Sequence, residues 1–366
     1  MRNLRSKFFL CFLVVRITAL YNELIPLDFR FIIMYNEIYN NQSWLERYNA
    51  TAGVVFIAFN MNIMLIMNNK YYAVSFTMLA SLIHNNCRPM TFYVFTDDLK
   101  DSYRKSLSDF INANKCSVHY IDVDVTMFNG LSSTEQYPPL LYCKMIPHLF
   151  LPSDVERILY LDLDLIINGD LDDLYNRDLG VNYLSACRGW RAFGANHLNE
   201  TYSFSVDYDA FNSGVVLYNL VAMRGEISLS SYFSWLNEYK RRTSRAQEQY
   251  EEWLMINVMR GRIAYEMPYD YNYNINSHAY QLYERYCEER SIVPLKRIIH
   301  YMPFYNEPTI KKPWLYFDVF VYNEEHSLPD RIYGLYKLWW SYAKKTPEHI
   351  FALYRTMSEA RENING

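Results

Sequence analysis

The chain is poor in the residues that break or staple a fold. Only 11 glycines and 13 prolines occur among 366 residues, with no internal repeat. That excludes a collagen-like or low-complexity chain and leaves no compositional linker. The six cysteines are scattered, with no C-x-x-C pair and no histidine at zinc-finger spacing. A dense disulfide framework and a Cys-rich zinc module are thereby excluded, and the inventory fits a reduced, cytoplasmic protein. Positive charge is not in excess: 36 Lys plus Arg face 40 Asp plus Glu, a net charge of −4. Wholesale nucleic-acid binding needs a basic face, so nucleic acid is not an expected partner.

A long apolar run is also missing. The stretch FFLCFLVV (8–15) is halted by Arg16, well short of the roughly 20 residues that span a bilayer. Arg2, Arg5 and Lys7 give it a signal-like flank, but no small-residue cleavage site follows cleanly. A signal anchor ranks below a plain extension. The sequons at Asn41, Asn49 and Asn199 are what chance supplies in an Asn-rich chain. What is abundant is apolar and aromatic: 51% of residues are hydrophobic and 35 are tyrosine. A large buried core follows, and global disorder is excluded. Tyrosine suits cores, membrane boundaries and sugar-stacking grooves alike.

The nearly continuous apolar run MNIMLIM (61–67) predicts a buried parallel strand. A helix over 73–86, a strand over 90–98, a helix over 99–114 and a strand over 116–124 follow by periodicity. This alternation is the start of a doubly wound α/β sheet, which binds ligands at the carboxyl ends of its strands. Beyond it, LYCKMIPHLFLP (141–152) reads as a helix closed by Pro152. RILYLDLDLIING (157–169) reads as one buried strand leaving through Asn168-Gly169. Residues 185–208 read as a polar stretch, 209–220 as loop then strand, and 245–268 as a helix stopped near Gly261 and followed by a strand.

The chemistry centres on Asp162-Leu163-Asp164. Neighbours two apart share a strand face but stand about 7 Å apart along it, so convergence on one ion needs the strand to end and the chain to turn. Asn168-Gly169 is the turn the sequence offers, several residues late. Hard oxygen ligands without nearby thiolates favour Mg²⁺ or Mn²⁺, which would neutralise charge on a departing diphosphate. The bland alternative is one aspartate closing the strand and the other solvated.

A strand–helix start, a hydrophobic strand into D-x-D, F-N-S-G-V at 211–215 and a late H-Y…K-P-W together resemble the retaining glycosyltransferases of family 8. These are the relatives of glycogenin and of bacterial lipopolysaccharide galactosyl- and glucosyltransferases. The resemblance runs over about residues 61–314. It implies a GT-A-type (Rossmann-like) α/β fold, with a mixed, mainly parallel sheet flanked by helices. It also implies a UDP-sugar donor, Mn²⁺ (or Mg²⁺), a glycan or glycolipid acceptor and retention at the anomeric carbon. Residues 1–60, which precede the point where compact members begin, are then either an added N-terminal extension or an upstream mis-called start, and 315–366 a helical or irregular C-terminal extension.

Carried over residue by residue, Asp162 and Asp164 are the metal pair, Asp162 also near the ribose, and His300 is the third ligand. Lys312 fits the contact to the donor diphosphate; the stretch after His300 is longer than in compact members, so Lys311 competes for that role. Tyr71 fits the aromatic that stacks on uracil. Asn68 stands where an Asp is often found, and Lys144 where an Arg commonly touches the phosphates. Lysine offers a point charge without bidentate geometry. Asn212 fits the amide against the donor sugar, and Gly214 a close backbone approach. The pair near the anomeric carbon falls on Glu251-Glu252, with Glu252 the catalytic candidate and Glu248-Gln249 the alternative after a small shift.

Two other functions stay open on sequence. A haloacid-dehalogenase-type phosphohydrolase also runs an apolar strand into D-x-D, but near the start of its domain, whereas three strands precede it here. A sugar-nucleotide-binding protein without transfer activity is the other. The aromatic and basic segment RIYGLYKLWWSYAKK (331–345) has two readings. It either lies on a membrane surface as a peripheral contact at the inner face, or packs its aromatic stripe on the catalytic domain.

Overall fold

The structure, a computed structural model, describes residues 60–129, 133, 138–188, 211–234, 262–264, 267–275, 283–285, 287–302, 312–315, 330–347, 350 and 354. The strand–helix alternation read from the sequence is present. It comprises β1 (Met61–Ile66), α1 (Tyr72–Asn85), β2 (Met90–Thr96), α2 (Asp101–Ala113) and β3 (Ser117–Asp122). Then come β4 (Arg157–Leu161), β5 (Leu165–Ile167), a single turn α3 (Asp172–Tyr175), β6 (Leu184–Arg188), β7 (Phe211–Asn219) and α4 (Leu220–Glu226). Short strands β8 (Ile263–Ala264), β9 (Tyr273–Asn274) and β10 (Ile298–His300) precede α5 (Asp330–Ala343).

Seven strands form one sheet in the order β3-β2-β1-β4-β7-β6-β8. The β3-β2-β1-β4 half is parallel, while β7 is antiparallel to both β4 and β6. A second sheet, β5-β10-β9, is separate from the first. Successive residues of the central strands feed opposite cores. Ile63, Leu65, Leu159 and Leu161 join the face covered by α1, α2 and α5. Met64, Ile66, Ile158 and Tyr160 join the opposite face. Both faces are dry, which is why these strands read as unbroken apolar runs.

Three sequence expectations change. The segment 141–152 is not one helix but two 3₁₀ turns, Pro139–Met145 and Pro147–Leu149. Pro147 lacks an N–H and keeps Ile146 out of helical backbone (φ −135°, ψ 40°). Residues 157–169 are not one strand either: β4 ends at Leu161 and β5 starts at Leu165 in the other sheet. The turn is the D-x-D itself, so Asn168-Gly169 is not the turn that matters. Finally, the polar stretch 185–208 opens with a strand, β6, whose residues LSACR carry little β signal but pair with β7, with a register shift between Ala186 and Arg188.

The C-terminal aromatics are turned inward. Ile332, Tyr336, Trp339, Trp340 and Tyr342 of α5 are buried in the core they share with α1. Asn85 of α1 donates to Tyr342 Oη at 2.8 Å, and Thr77 and Tyr354 share a buried hydroxyl contact at 2.6 Å. The aromatic stripe that a membrane surface would need is thus spent on the interior, which is the second of the two readings. Among the described residues, no helix is long and apolar enough to cross a membrane.

Candidate metal and nucleotide-sugar site

The site lies at the seam between the two sheets. Asp162 N–H donates to Gly214 O on β7 at 2.8 Å, and Tyr301 N–H, just past β10, donates to Asp164 O at 3.0 Å. The three-residue link between β4 and β5 is therefore clamped at one end by the large sheet and at the other by the small one. On a continuing strand the two carboxylates would share a face about 7 Å apart, and the break between β4 and β5 inside the motif lets them draw together.

His300 closes the cluster. One carboxylate oxygen of each aspartate and an imidazole nitrogen of His300 lie within 4.8 Å of one another. Nε2 stands 3.2 Å from Asp164 Oδ1 and 3.7 Å from Asp162 Oδ2. Gly214 makes the room. A Cβ there would sit 2.3 Å from His300 Cε1 and 2.8 Å from Asp162 Oδ2, so any side chain would displace two members of the cluster. Two hard oxygens and a neutral imidazole around a shared space fit a divalent cation.

Two lysines occupy the outer oxygens. Lys144 Nζ lies 3.2 Å from Asp162 Oδ1, and Tyr160 Oη donates to the same oxygen. Lys312 Nζ donates to Asp164 Oδ2 and to the Tyr301 carbonyl. Each ammonium also sits over an aromatic ring, Lys144 over Tyr160 at 4.6 Å and Lys312 over Trp314 at 5.3 Å. Burial pushes the Asp164 carboxyl upward, yet the Lys312 ammonium and His300 beside it outweigh this and hold it well below the usual carboxylate range. The inner oxygens, Asp162 Oδ2 and Asp164 Oδ1, face His300.

One cleft collects nine residues singled out in the sequence: Asp162, Asp164, His300, Asn212, Gly214 and Lys312, joined by Asn68, Tyr71 and Lys144. Asn68 Oδ1 accepts from Tyr71 N–H at 3.2 Å, closing the turn that carries β1 into α1 and presenting the Tyr71 ring at the cleft. Glu252, its alternatives Glu248, Gln249 and Glu251, and Lys311 lie outside the described residues.

Sequence reasoning passed over three participants. Tyr160 supports Asp162 from two positions back on the same strand face. Met302 lines the cleft, its sulfur receiving Asn212 Nδ2 at 3.2 Å and Asn274 Nδ2 at 2.7 Å. Asn272 is buried between His300 Nδ1, at 2.9 Å, and Asn212 Oδ1, at 2.8 Å. Its only sequence signal is an amide alternating with tyrosines in Tyr271-Asn272-Tyr273-Asn274, which reads equally as turn composition.

The glycosyl transferase family 8 model matches residues 62–318. The chain belongs to that family. A putative glycosyltransferase of Haemophilus influenzae is 25% identical over 182 residues, covering 49% of this chain and 54% of the relative. A lipopolysaccharide 1,2-glucosyltransferase of Escherichia coli is 21% identical over 255 residues, 68% of this chain and 71% of the relative. Glycosyltransferase GlyE of Streptococcus pneumoniae is 28% identical over 199 residues, 53% of this chain and 39% of the relative. This chain thus spans about half the length of several curated relatives it matches. Among solved structures, the galactosyltransferase LgtC in complex with donor and acceptor sugar analogs superposes with a TM-score of 0.60. It is 20% identical and covers 79% of this chain and 98% of its own. The GT-A-type α/β fold expected from the sequence is the fold observed, and the phosphohydrolase alternative is set aside by the family match.

Proposed function

We propose that the chain is a retaining, Mn²⁺-dependent hexosyltransferase that moves glucose or galactose from a UDP-sugar to a saccharide or lipid-linked glycan. The observation that carries this reading is the Asp162–Asp164–His300 cluster set in one cleft with Lys144 and Lys312. Family membership supports the reaction class. The lipopolysaccharide glucosyltransferase and galactosyltransferase relatives support a hexose and a glycan acceptor.

Asp162, Asp164 and His300 would hold the cation, which when bound neutralises charge on the departing diphosphate. Lys144 and Lys312 offset the two carboxylates, so these four side chains together carry no net charge. A divalent ion gains little from a neutral site. A diphosphate restores the missing negative charge, and the two ammonium groups are within the same cleft to receive its oxygens. Metal and nucleotide should accordingly bind together better than either alone.

Asn212 presents a donor to the cleft. Its oxygen accepts from Gly214 N–H at 3.0 Å, leaving Nδ2 beside Met302 Sδ, where a sugar hydroxyl oxygen would be a better acceptor than a thioether. Tyr71 offers a ring face for uracil, and Asn68 an amide where an acid is common. A front-face route asks only that these groups position the acceptor hydroxyl beside the leaving phosphate, whose oxygen takes the proton. A covalent route needs a carboxylate beneath the anomeric carbon, and Glu252 remains the residue proposed for it. Residues 61–314 are the proposed catalytic unit, supported by a family match that begins at residue 62.

A panel of UDP-sugars incubated with the purified chain, with and without Mn²⁺, tests the proposal through sugar release and product analysis. UDP-glucose or UDP-galactose should be consumed only with metal. Consumption of neither, with UDP still bound, would point to the sugar-nucleotide-binding alternative.

A further inference from the structure

A backbone N–H can only donate, and this fixes the polarity of a buried chain of amides. Gly214 N–H lies 3.0 Å from Asn212 Oδ1, so the oxygen of that carboxamide occupies this end. The same oxygen is 2.8 Å from the carboxamide of Asn272. An acceptor oxygen must face a donor, so Asn272 presents Nδ2 to it. The other end of the planar Asn272 amide is then Oδ1, which lies 2.9 Å from His300 Nδ1. An oxygen there requires Nδ1 to carry the hydrogen. Nε2 is then the ring nitrogen that faces the inner carboxylate oxygens, 3.2 Å from Asp164 Oδ1 and 3.7 Å from Asp162 Oδ2, where a bound cation would take its lone pair.

We infer that Asn272 is a positioning residue that holds His300 in its Nδ1–H tautomer and so keeps Nε2 open as a metal ligand. Both side chains are about 3% exposed, so water is poorly placed to substitute for either hydrogen bond. Histidine ligands depend on such an acceptor at the second nitrogen, and its loss typically weakens a metal about 10–100-fold. The Gly214 N–H therefore acts twice. It orients Asn212 toward the ligand, and through Asn272 it sets which imidazole nitrogen faces the metal.

This inference rests on the metal-site reading above, and the test separates the two. Metal-free protein labelled with ¹⁵N-histidine is examined by NMR in mildly alkaline buffer. Mn²⁺ binding to wild type, Asn272→Asp and Asn272→Leu is then measured by calorimetry. Wild-type His300 should report the Nδ1–H tautomer. Asn272→Leu should lose that bias and bind Mn²⁺ about 10–100-fold more weakly. Asn272→Asp, whose carboxylate still accepts from Nδ1–H although it gives up the hydrogen bond to Asn212, should keep the tautomer and bind more tightly than the leucine variant. An Nε2–H tautomer in wild type overturns the inference, as does wild-type affinity in Asn272→Leu or an equal loss in both variants. If the leucine variant does not fold, the wild-type tautomer and the aspartate variant decide. If wild type binds no Mn²⁺, the metal reading fails while the tautomer still judges the role of Asn272.

Discussion

Gly214 is the residue on which the site depends most sharply. The backbone of β7 runs so close to His300 and Asp162 that a single methyl group has nowhere to go. Gly214→Ala should therefore leave the strand paired but push the imidazole and one carboxylate apart. Mn²⁺ affinity should fall by at least about tenfold, the scale of a displaced ligand shell. Calorimetric titration alongside a far-UV spectrum checks this, and an alanine variant that binds metal normally would mean that the cluster is looser than drawn. The flanking residues, Ser213 and Val215, do not face this constraint, because a Cβ at those positions is already accommodated.

At the scale of elements, the site is a junction. The D-x-D turn is held by β7 on one side and β10 on the other, and the Lys312 turn is held in turn by α5. Trp340 Nε1–H donates to Pro313 O at 3.1 Å from a nearly fully buried ring, with Trp339 and Tyr354 packed edge-on against it. Replacing Trp340 by alanine should cost roughly 3–5 kcal/mol of stability through the cavity it leaves. The same change should weaken nucleotide binding in the protein that remains folded, since Lys312 loses its backing. Denaturant unfolding with a UDP titration checks both effects; unchanged stability would indicate that α5 is an appendage. Much of this was legible in the chain. Strands β1, β2 and β4 announced themselves because both faces of the sheet are buried there and apolar residues run almost unbroken. The turn inside Asp162-Leu163-Asp164 was not legible, because apolar residues continue on both sides of it and only the second sheet, assembled from β9 and β10 more than a hundred residues later, takes the chain away. Asn272 was hidden for a related reason. A buried amide is distinguished from a turn amide by its partners, and those partners come from β7 and β10.

For the whole molecule, the wealth of tyrosine becomes a liability at high pH. Burial pushes up the phenols of Tyr175, Tyr232, Tyr301 and Tyr354. The folded state thus disfavours tyrosinate, and the stability these groups contribute is complete below the ordinary tyrosine value of about 10 and lost as pH rises through their raised folded values. The thermal midpoint should drop steeply above about pH 10, with tyrosinate absorbance appearing together with unfolding. Tyrosinate forming fully within a still-folded protein would contradict the burial described. The fold also brings residues from β1, β4, β7, β10 and the Lys312 turn to one cleft, and the central claim is that this cleft binds metal and nucleotide as a unit. The most direct measurement is calorimetric titration of UDP into wild type and Asp164→Ala, each with and without Mn²⁺. Wild type should bind UDP markedly more tightly with the metal, and Asp164→Ala, folded as wild type, should show no gain from it. Equal metal enhancement in both proteins would contradict the site.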